Sequence, residues 1–389
     1  MSDRRAAPIA LLLSLAALPA LAAEAGAVEP VALPFPVEAM RGPGSDVALS
    51  VATSGLLPVA RAPAGADPKA AAGAAPPSVV VVWGGGGGGG AVLSLEGDRL
   101  RTTLIGAEAI EGFAAAETPR GAVPGSRRAL DGPLSAYLTG PTRALGGAPG
   151  QGAALTLRER QPLGVTAEPK AVPVTTHTLA PGDDRVFAGR TPRIAQIDGR
   201  PAVVAVTAQG TAGSGLALAV KAKDKGWTLA AQTPPQAGKA PQADEGPGGA
   251  PLSLAGIADF LGTGHPQIAA IRAPDGEGGL QLWRTGDGAL TLAGEWPGYA
   301  GPAAGEEADL AAPVPRGAGT PPDLALPVAG RGSLAVLSLE GGGPRERWRA
   351  ALPAPAAHGV AVLEAGGTAK TILVGLADGR LVALPAEAP

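Results

Sequence analysis

The chain has 389 residues and a formal net charge of −3, is 45% hydrophobic and 17% charged, and holds no cysteine. These values exclude a chain disordered by composition, a disulfide frame and any thiolate nucleophile or zinc-thiolate site, and the lack of a basic cluster speaks against a nucleic-acid partner. The 60 glycines and 41 prolines disfavour long helices and predict many short strands joined by turns.

Taken in order, Arg4 and Arg5 precede an apolar run over residues 6–18, and Pro19-Ala20-Leu21-Ala22 then ends on small residues at signal-peptidase spacing. The run is too short to span a bilayer, so residues 1–22 read as a cleaved secretory peptide with the mature chain starting near Ala23. No later stretch has the length and apolarity of a membrane span, which predicts a periplasmic or secreted protein. Residues 23–389 read as a single domain. Within it, residues 47–52 have the composition of a strand, and the Ala/Pro/Gly-rich residues 60–78 read as an insertion or linker.

The strand signal strengthens at the continuous β-branched run Val79-Val80-Val81-Val82-Trp83. Seven glycines follow (84–90), and the strand pattern resumes at Ala91-Val92-Leu93. A phosphate-binding loop would need Lys and Ser/Thr at its end and a helix after it; here Ala91 and a strand follow, so the glycines read as a turn. Residues 107–190 are the least patterned, with strands at 135–139 and 153–157. From Arg185 onward a strand, turn, strand outline repeats, and Leu216, Leu280, Leu334 and Leu381 hold equivalent places in the third strand of successive units. Four strands per unit without helices, at this spacing, predict an all-β fold: a β-propeller of about seven four-stranded blades, with six possible.

The loop Asp259-Phe260-Leu261-Gly262-Thr263-Gly264-His265-Pro266-Gln267-Ile268-Ala269 resembles the FG-GAP or VCBS repeat, which reads D-x-N/D-G-D-G-x-P-D/E before an apolar strand. Asp259, Gly262, Gly264 and Pro266 match its frame. Asp198-Gly199-Arg200-Pro201 is similar to a shortened copy, and Pro322-Asp323-Leu324-Ala325-Leu326 to the end of another. The resemblance covers residues 185–385 and implies an exported, integrin-α-like propeller. In that family alternating acids bind calcium, which takes six to eight oxygen ligands. Here one carboxylate per loop survives, so Asp198, Asp259 and Asp323 are not read as ligands, and no metal or cofactor is expected.

No group reads as catalytic. His177, His265 and His358 are dispersed and read as surface or loop histidines, and Ser214 precedes a strand where a nucleophile elbow needs a helix. Glu306, Glu307 and Asp309 lie in a Gly/Pro loop and read as solvated, with a binding face as the alternative. Trp83, Trp227, Trp283, Trp296 and Trp348 recur near blade spacing and read as packing between blades, with sugar stacking as the alternative. The expected function is a non-catalytic binding module, a monomer, for an envelope protein, peptide or glycan. The alternative is a propeller hydrolase or lyase with its site at the channel mouth, which convergence of His and Asp/Glu there would favour.

Overall fold

The computed structural model describes residues 28–56, 77–143, 150–162, 172–222, 226–236, 252–272, 278–286, 288–303 and 306–387. The expected signal peptide and nearly all of the 60–78 insertion lie outside these residues.

The described chain is all-β, built of four-stranded antiparallel sheets. After β1 (Glu29–Val31), the first sheet comprises β2 (Ala39–Arg41), β3 (Val79–Trp83), β4 (Gly90–Glu96) and β5 (Arg99–Ile105). The second comprises β6 (Ala129–Asp131), β7 (Leu134–Pro141), β8 (Gly152–Arg160) and β9 (Val174–Leu179). The third comprises β10 (Val186–Ile197), β11 (Arg200–Ala208), β12 (Ser214–Ala222) and β13 (Gly226–Gln232). A single residue pair, Phe187 with Gly152, joins β10 to β8 and makes one eight-stranded sheet of the second and third. The fourth sheet is β14 (Leu252–Ala258), β15 (Gln267–Arg272), β16 (Gly279–Gly286) and β17 (Ala289–Pro297). The fifth is β18 (Ala312–Val314), β19 (Asp323–Pro327), β20 (Ser333–Ser338) and β21 (Arg345–Ala351). The last three strands, β22 (Ala356–Ala365), β23 (Thr368–Leu376) and β24 (Leu381–Pro385), take β1 as their fourth member, so the start of the described chain completes its last sheet.

Second strands are buried along nearly their whole length, as in β15 and β19, whereas fourth strands such as β5 and β17 alternate between exposed and half-buried residues. That contrast is what sheets covered on both faces at the middle and wetted at the outer edge require. Leu216, Leu280, Leu334 and Leu381 all lie in the third strand of their sheets and are essentially inaccessible. First strands stand side by side in chain order, β6 to β10, β14, β18 and β22, and β22 returns to β2. Ser45, just past β2, bridges Ala129 at the start of β6.

Neighbouring sheets bury apolar faces against each other. Leu155 and Leu157 meet Phe187 and Val203 between the second and third, and Val204 and Leu218 meet Ile268 and Trp283 between the third and fourth. Leu280 and Leu282 meet Leu324 and Leu337 between the fourth and fifth; Val336 and Trp348 meet Val362 and Val374 between the fifth and sixth. Leu363 and Leu373 meet Val80 and Val82 between the sixth and first.

The other face of the first sheet is covered by two helices, α1 (Asp46–Thr53) and α2 (Ala107–Glu117), where the sequence pattern predicts none. Residues 47–52, expected as a strand, are therefore helical. Ser45 caps the helix, its Oγ accepting the Ala48 N–H at 3.2 Å, and Asp46 sits in the first turn where the helix dipole favours an acid. Val47, Ala48 and Val51 share one face and bury against Val79 and Val81. Tertiary burial at helical spacing thus outweighs the β-propensity of two valines. Gly90 permits this cover, since a Cβ there would run into the Ile110 side chain of α2.

Candidate functional site

Where the first strands converge they enclose a pocket of about 340 Å³. All six sheets contribute to it, through Gly42, Ala129, Arg193, Gly256, Ala312 and Val360. Its floor is a knot of charges drawn from distant parts of the chain. Asp309, three residues before β18, receives the Arg127 Nη1–H at 3.0 Å on Oδ2 and the Arg193 Nη2–H at 2.5 Å on Oδ1. Its backbone carbonyl accepts the Val360 N–H at 2.7 Å. One residue of the fifth sheet's leading segment therefore ties together the second, third and sixth sheets.

Arg127 and Arg128 directly precede β6 and make separate ion pairs. Arg127 turns to Asp309, and Arg128 turns to Asp46 of α1, donating to Oδ2 from Nε at 2.9 Å and from Nη2 at 2.5 Å. Arg41, at the end of β2, donates from Nε to both oxygens of Glu117 at 2.7 and 2.9 Å, with both side chains about 5% exposed. Its guanidinium also lies 4.9 Å from the centre of the Trp83 ring. Glu117 ends α2, where the helix dipole disfavours an acid, so Arg41 supplies the compensating charge.

Burial alone would raise the Asp309 carboxyl, but the charges of Arg127 and Arg193 outweigh it and hold Asp309 well below the usual carboxylate range. Burial pulls the Arg127 guanidinium down, and Asp309, followed by Glu117 and Glu307, more than reverses this. Arg41 is lowered, first by burial and then by the neighbouring charge of Arg127, against the opposing pull of Glu117. Two groups keep unused capacity. Arg127 Nε is buried without an acceptor, and Glu364 on the pocket wall has its carboxyl raised by burial. Guanidinium donors beside carboxylate acceptors can hydrogen-bond the hydroxyls or amides of a polar guest.

Of the residues singled out in sequence, only Asp309 reaches this pocket; the loop reading of it as solvated is corrected by its pairing with two arginines. Glu306, expected in the same solvated loop, accepts from Arg331 Nη1 at 2.9 Å and from the Ala303 N–H at 2.7 Å. Asp259 uses its carboxylate on its own loop, accepting the Thr263 N–H at 2.9 Å and the Gly264 N–H at 2.6 Å, and these bonds depress its pKa against a burial effect of opposite sign. Asp198 Oδ1 accepts from His265 Nδ1–H at 2.9 Å, and Asp323 lies buried between Arg316 and Arg347. Among the described residues no three His, Asp or Glu side chains are placed to hold a metal ion.

His177 lies on β9 and His358 on β22, away from one another. Ser214 opens β12 and the heptaglycine closes the β3–β4 hairpin, with Gly84 N–H bonded to Gly89 O. Trp227, Trp283 and Trp348 are buried between sheets, while Trp83 and Trp296 are partly buried against theirs. Sequence reasoning missed Arg41, Glu117, Arg127 and Arg193. Their only common signal is an unpaired charge at the edge of an apolar segment, which many surface residues share.

No family model matches the sequence, and no curated protein matches it. Among solved structures, AofleA from Arthrobotrys oligospora is similar at 12% identity with a TM-score of 0.35, covering 76% of this chain and 75% of that one. A form of AofleA with three arginines replaced gives a TM-score of 0.38 at the same identity and coverage. A candidate 6-phosphogluconolactonase from Bacteroides fragilis is similar at 11% identity with a TM-score of 0.33, covering 79% of this chain and 93% of that one. No helix among the described residues is long and apolar enough to cross a membrane.

Proposed function

We propose that the protein is an exported six-bladed β-propeller whose axial pocket binds a polar ligand, a peptide or glycan carried by an envelope partner, without transforming it. The observation that supports this most directly is the pocket itself, which every sheet lines and whose volume lies within the range of about 300–1,000 Å³ usual for small-ligand sites. The cyclic neighbourhood of the first strands and the completion of the last sheet by β1 support the propeller reading. The FG-GAP-like loop at Asp259 is consistent with it, and the export reading rests on Arg4, Arg5, the apolar run and Ala20-Leu21-Ala22.

Within the pocket, Arg193 and Glu364 are the groups best placed to exchange hydrogen bonds with a guest. Probing glycan and peptide arrays with the mature chain should give retained ligands whose binding Arg193→Gln or Glu364→Gln weakens, with melting temperature nearly kept in Glu364→Gln. Retention that both variants leave intact would reject the axial pocket as the site. The second reading, a hydrolase or lyase, is favoured by one observation: the raised Glu364 carboxyl shares the pocket with Glu117 and Asp309, as a general acid would. Mass spectrometry of the retained ligand separates the two, because only an enzyme would cleave it.

A further inference from the structure

A second cleft, of about 210 Å³, opens between the fifth and sixth sheets, lined by Arg316, Asp323, Arg347, Trp348, Ala369 and Glu387 among others. Asp323 opens β19 and is 6% exposed. Two guanidiniums flank it: Arg316 Nε stands 3.6 Å from Oδ2 and Arg347 Nε 3.5 Å from Oδ1. These are ion-pair separations, longer than good hydrogen bonds. Arg347 Nε is buried with no hydrogen-bond acceptor, and neither has the indole N–H of Trp348, whose side chain is 2% exposed.

An indole N–H that is buried normally finds an acceptor, because leaving a buried donor unmade is costly. The cleft therefore gathers three donor side chains, two guanidiniums and an indole, around the buried Asp323 carboxylate. Burial also pushes the Asp323 carboxyl up, toward its neutral form, in spite of the two arginines. Glu387 also lines the cleft and is exposed. What remains unmet in the cleft is the Arg347 Nε–H and the Trp348 indole N–H, two donors that acceptor oxygens of a guest would satisfy.

We propose that this cleft is a binding site for a small oxyanion, a carboxylate or a tetrahedral anion of sulfate or phosphate size, held by Arg316, Arg347 and the Trp348 indole N–H. It adjoins the pocket described above, Pro315 lining both, and its occupancy does not depend on the function assigned there. The planar guanidinium fork matches the paired oxygens of such groups, and the indole supplies one directional bond from the apolar wall.

The five tryptophans make the test direct. Indole N–H resonances of the mature protein are followed by NMR, with Trp348 assigned through Trp348→Phe, during titration with acetate, sulfate and phosphate; chloride and sorbitol serve as controls. The Trp348 resonance should move saturably with at least one oxyanion, while Trp227, whose buried N–H also lacks a partner but which does not line the cleft, should stay in place. Saturation by acetate alone identifies a carboxylate site, and by sulfate or phosphate alone a tetrahedral one. Arg316→Gln and Arg347→Gln should each weaken binding by about tenfold or more, the effect of losing one charge-assisted hydrogen bond. Should Arg347→Gln fail to fold, the more exposed Arg316→Gln decides. No saturable movement with any oxyanion, equal movement with chloride or sorbitol, or unchanged affinity in Arg316→Gln would overturn the proposal.

Discussion

Among the described residues, five of the six junctions between neighbouring sheets are made by apolar sheet faces, but the junction between the first and second sheets is made by helices and ion pairs. Between the fourth and fifth sheets, Leu280, Leu282, Leu324 and Leu337 meet with no charge among them. Between the first and second, α1 and α2 cover the first sheet, and the contacts onward are Arg128 with Asp46, the Ser45 to Ala129 bridge and the Arg128 N–H to Glu117 O bond at 2.9 Å. Apolar faces are non-directional and tolerate small displacements, whereas buried ion pairs lose most of their worth when one partner is removed. The helical junction should thus be as sensitive to single substitutions as the apolar ones, but by a different mechanism and over a more local region.

The largest effect is expected from Glu117→Gln, which leaves Arg41 buried beside a neutral amide. Breaking a buried pair in this way costs about 3–5 kcal/mol, whereas replacing both members together, as in Arg41→Met with Glu117→Leu, should be close to neutral. Denaturant titration measures both, and a double variant as unstable as the single one would show that the charges themselves hold the junction. Hydrogen exchange should locate the Glu117→Gln damage in α1, α2 and β2, with β15 and β16 still protected.

Leu282→Ala, in the apolar junction, should cost about 2–5 kcal/mol through lost burial and the cavity left behind, since Leu282 is fully inaccessible. Here the loss should be global, and exchange confined to the fourth sheet would contradict the cooperative stacking of sheets.

Acid should act through Asp309. The folded pKa of Asp309 is depressed, so its contribution is fully present above the unfolded value of about 3.9 and is lost as pH falls below it toward the folded value. Melting temperature should therefore fall below about pH 4, and part of that fall should vanish in Asp309→Asn. An identical acid profile in the variant would remove Asp309 from the account.

The smallest effects belong to the Asp259 carboxylate, whose hydrogen bonds stay within its own loop. Asp259→Ala removes the acceptor for two backbone N–H groups and should cost about 1 kcal/mol, like the loss of a helix cap. Melts with calcium and with excess chelator should superimpose; a clearly higher melting point with calcium would reveal a site among these loops, because a ligand of the folded state must stabilise it.

Strand content and repeat register were readable where local pattern and final environment agree. The run at 79–83 and the four equivalent leucines are apolar because stacked sheets bury them, and no distant residue is needed to see it. Residues 47–52 misled because Val and Ala suit either a strand or a helix in isolation, and the covering of Val79 and Val81 decided between them.

By itself, then, the amino-acid sequence determined that the chain would be all-β, that it repeats, and which strands are interior, since these follow from periodicity over a few residues. The axial knot was decided only by tertiary structure. Arg41, Glu117, Arg127, Arg193 and Asp309 are separated by up to hundreds of positions, and a charge has no local pattern that names its partner. Their pairing depends on the packing of the sheets against one another, which buries Arg41, Glu117 and Arg127 and makes each costly without its partner.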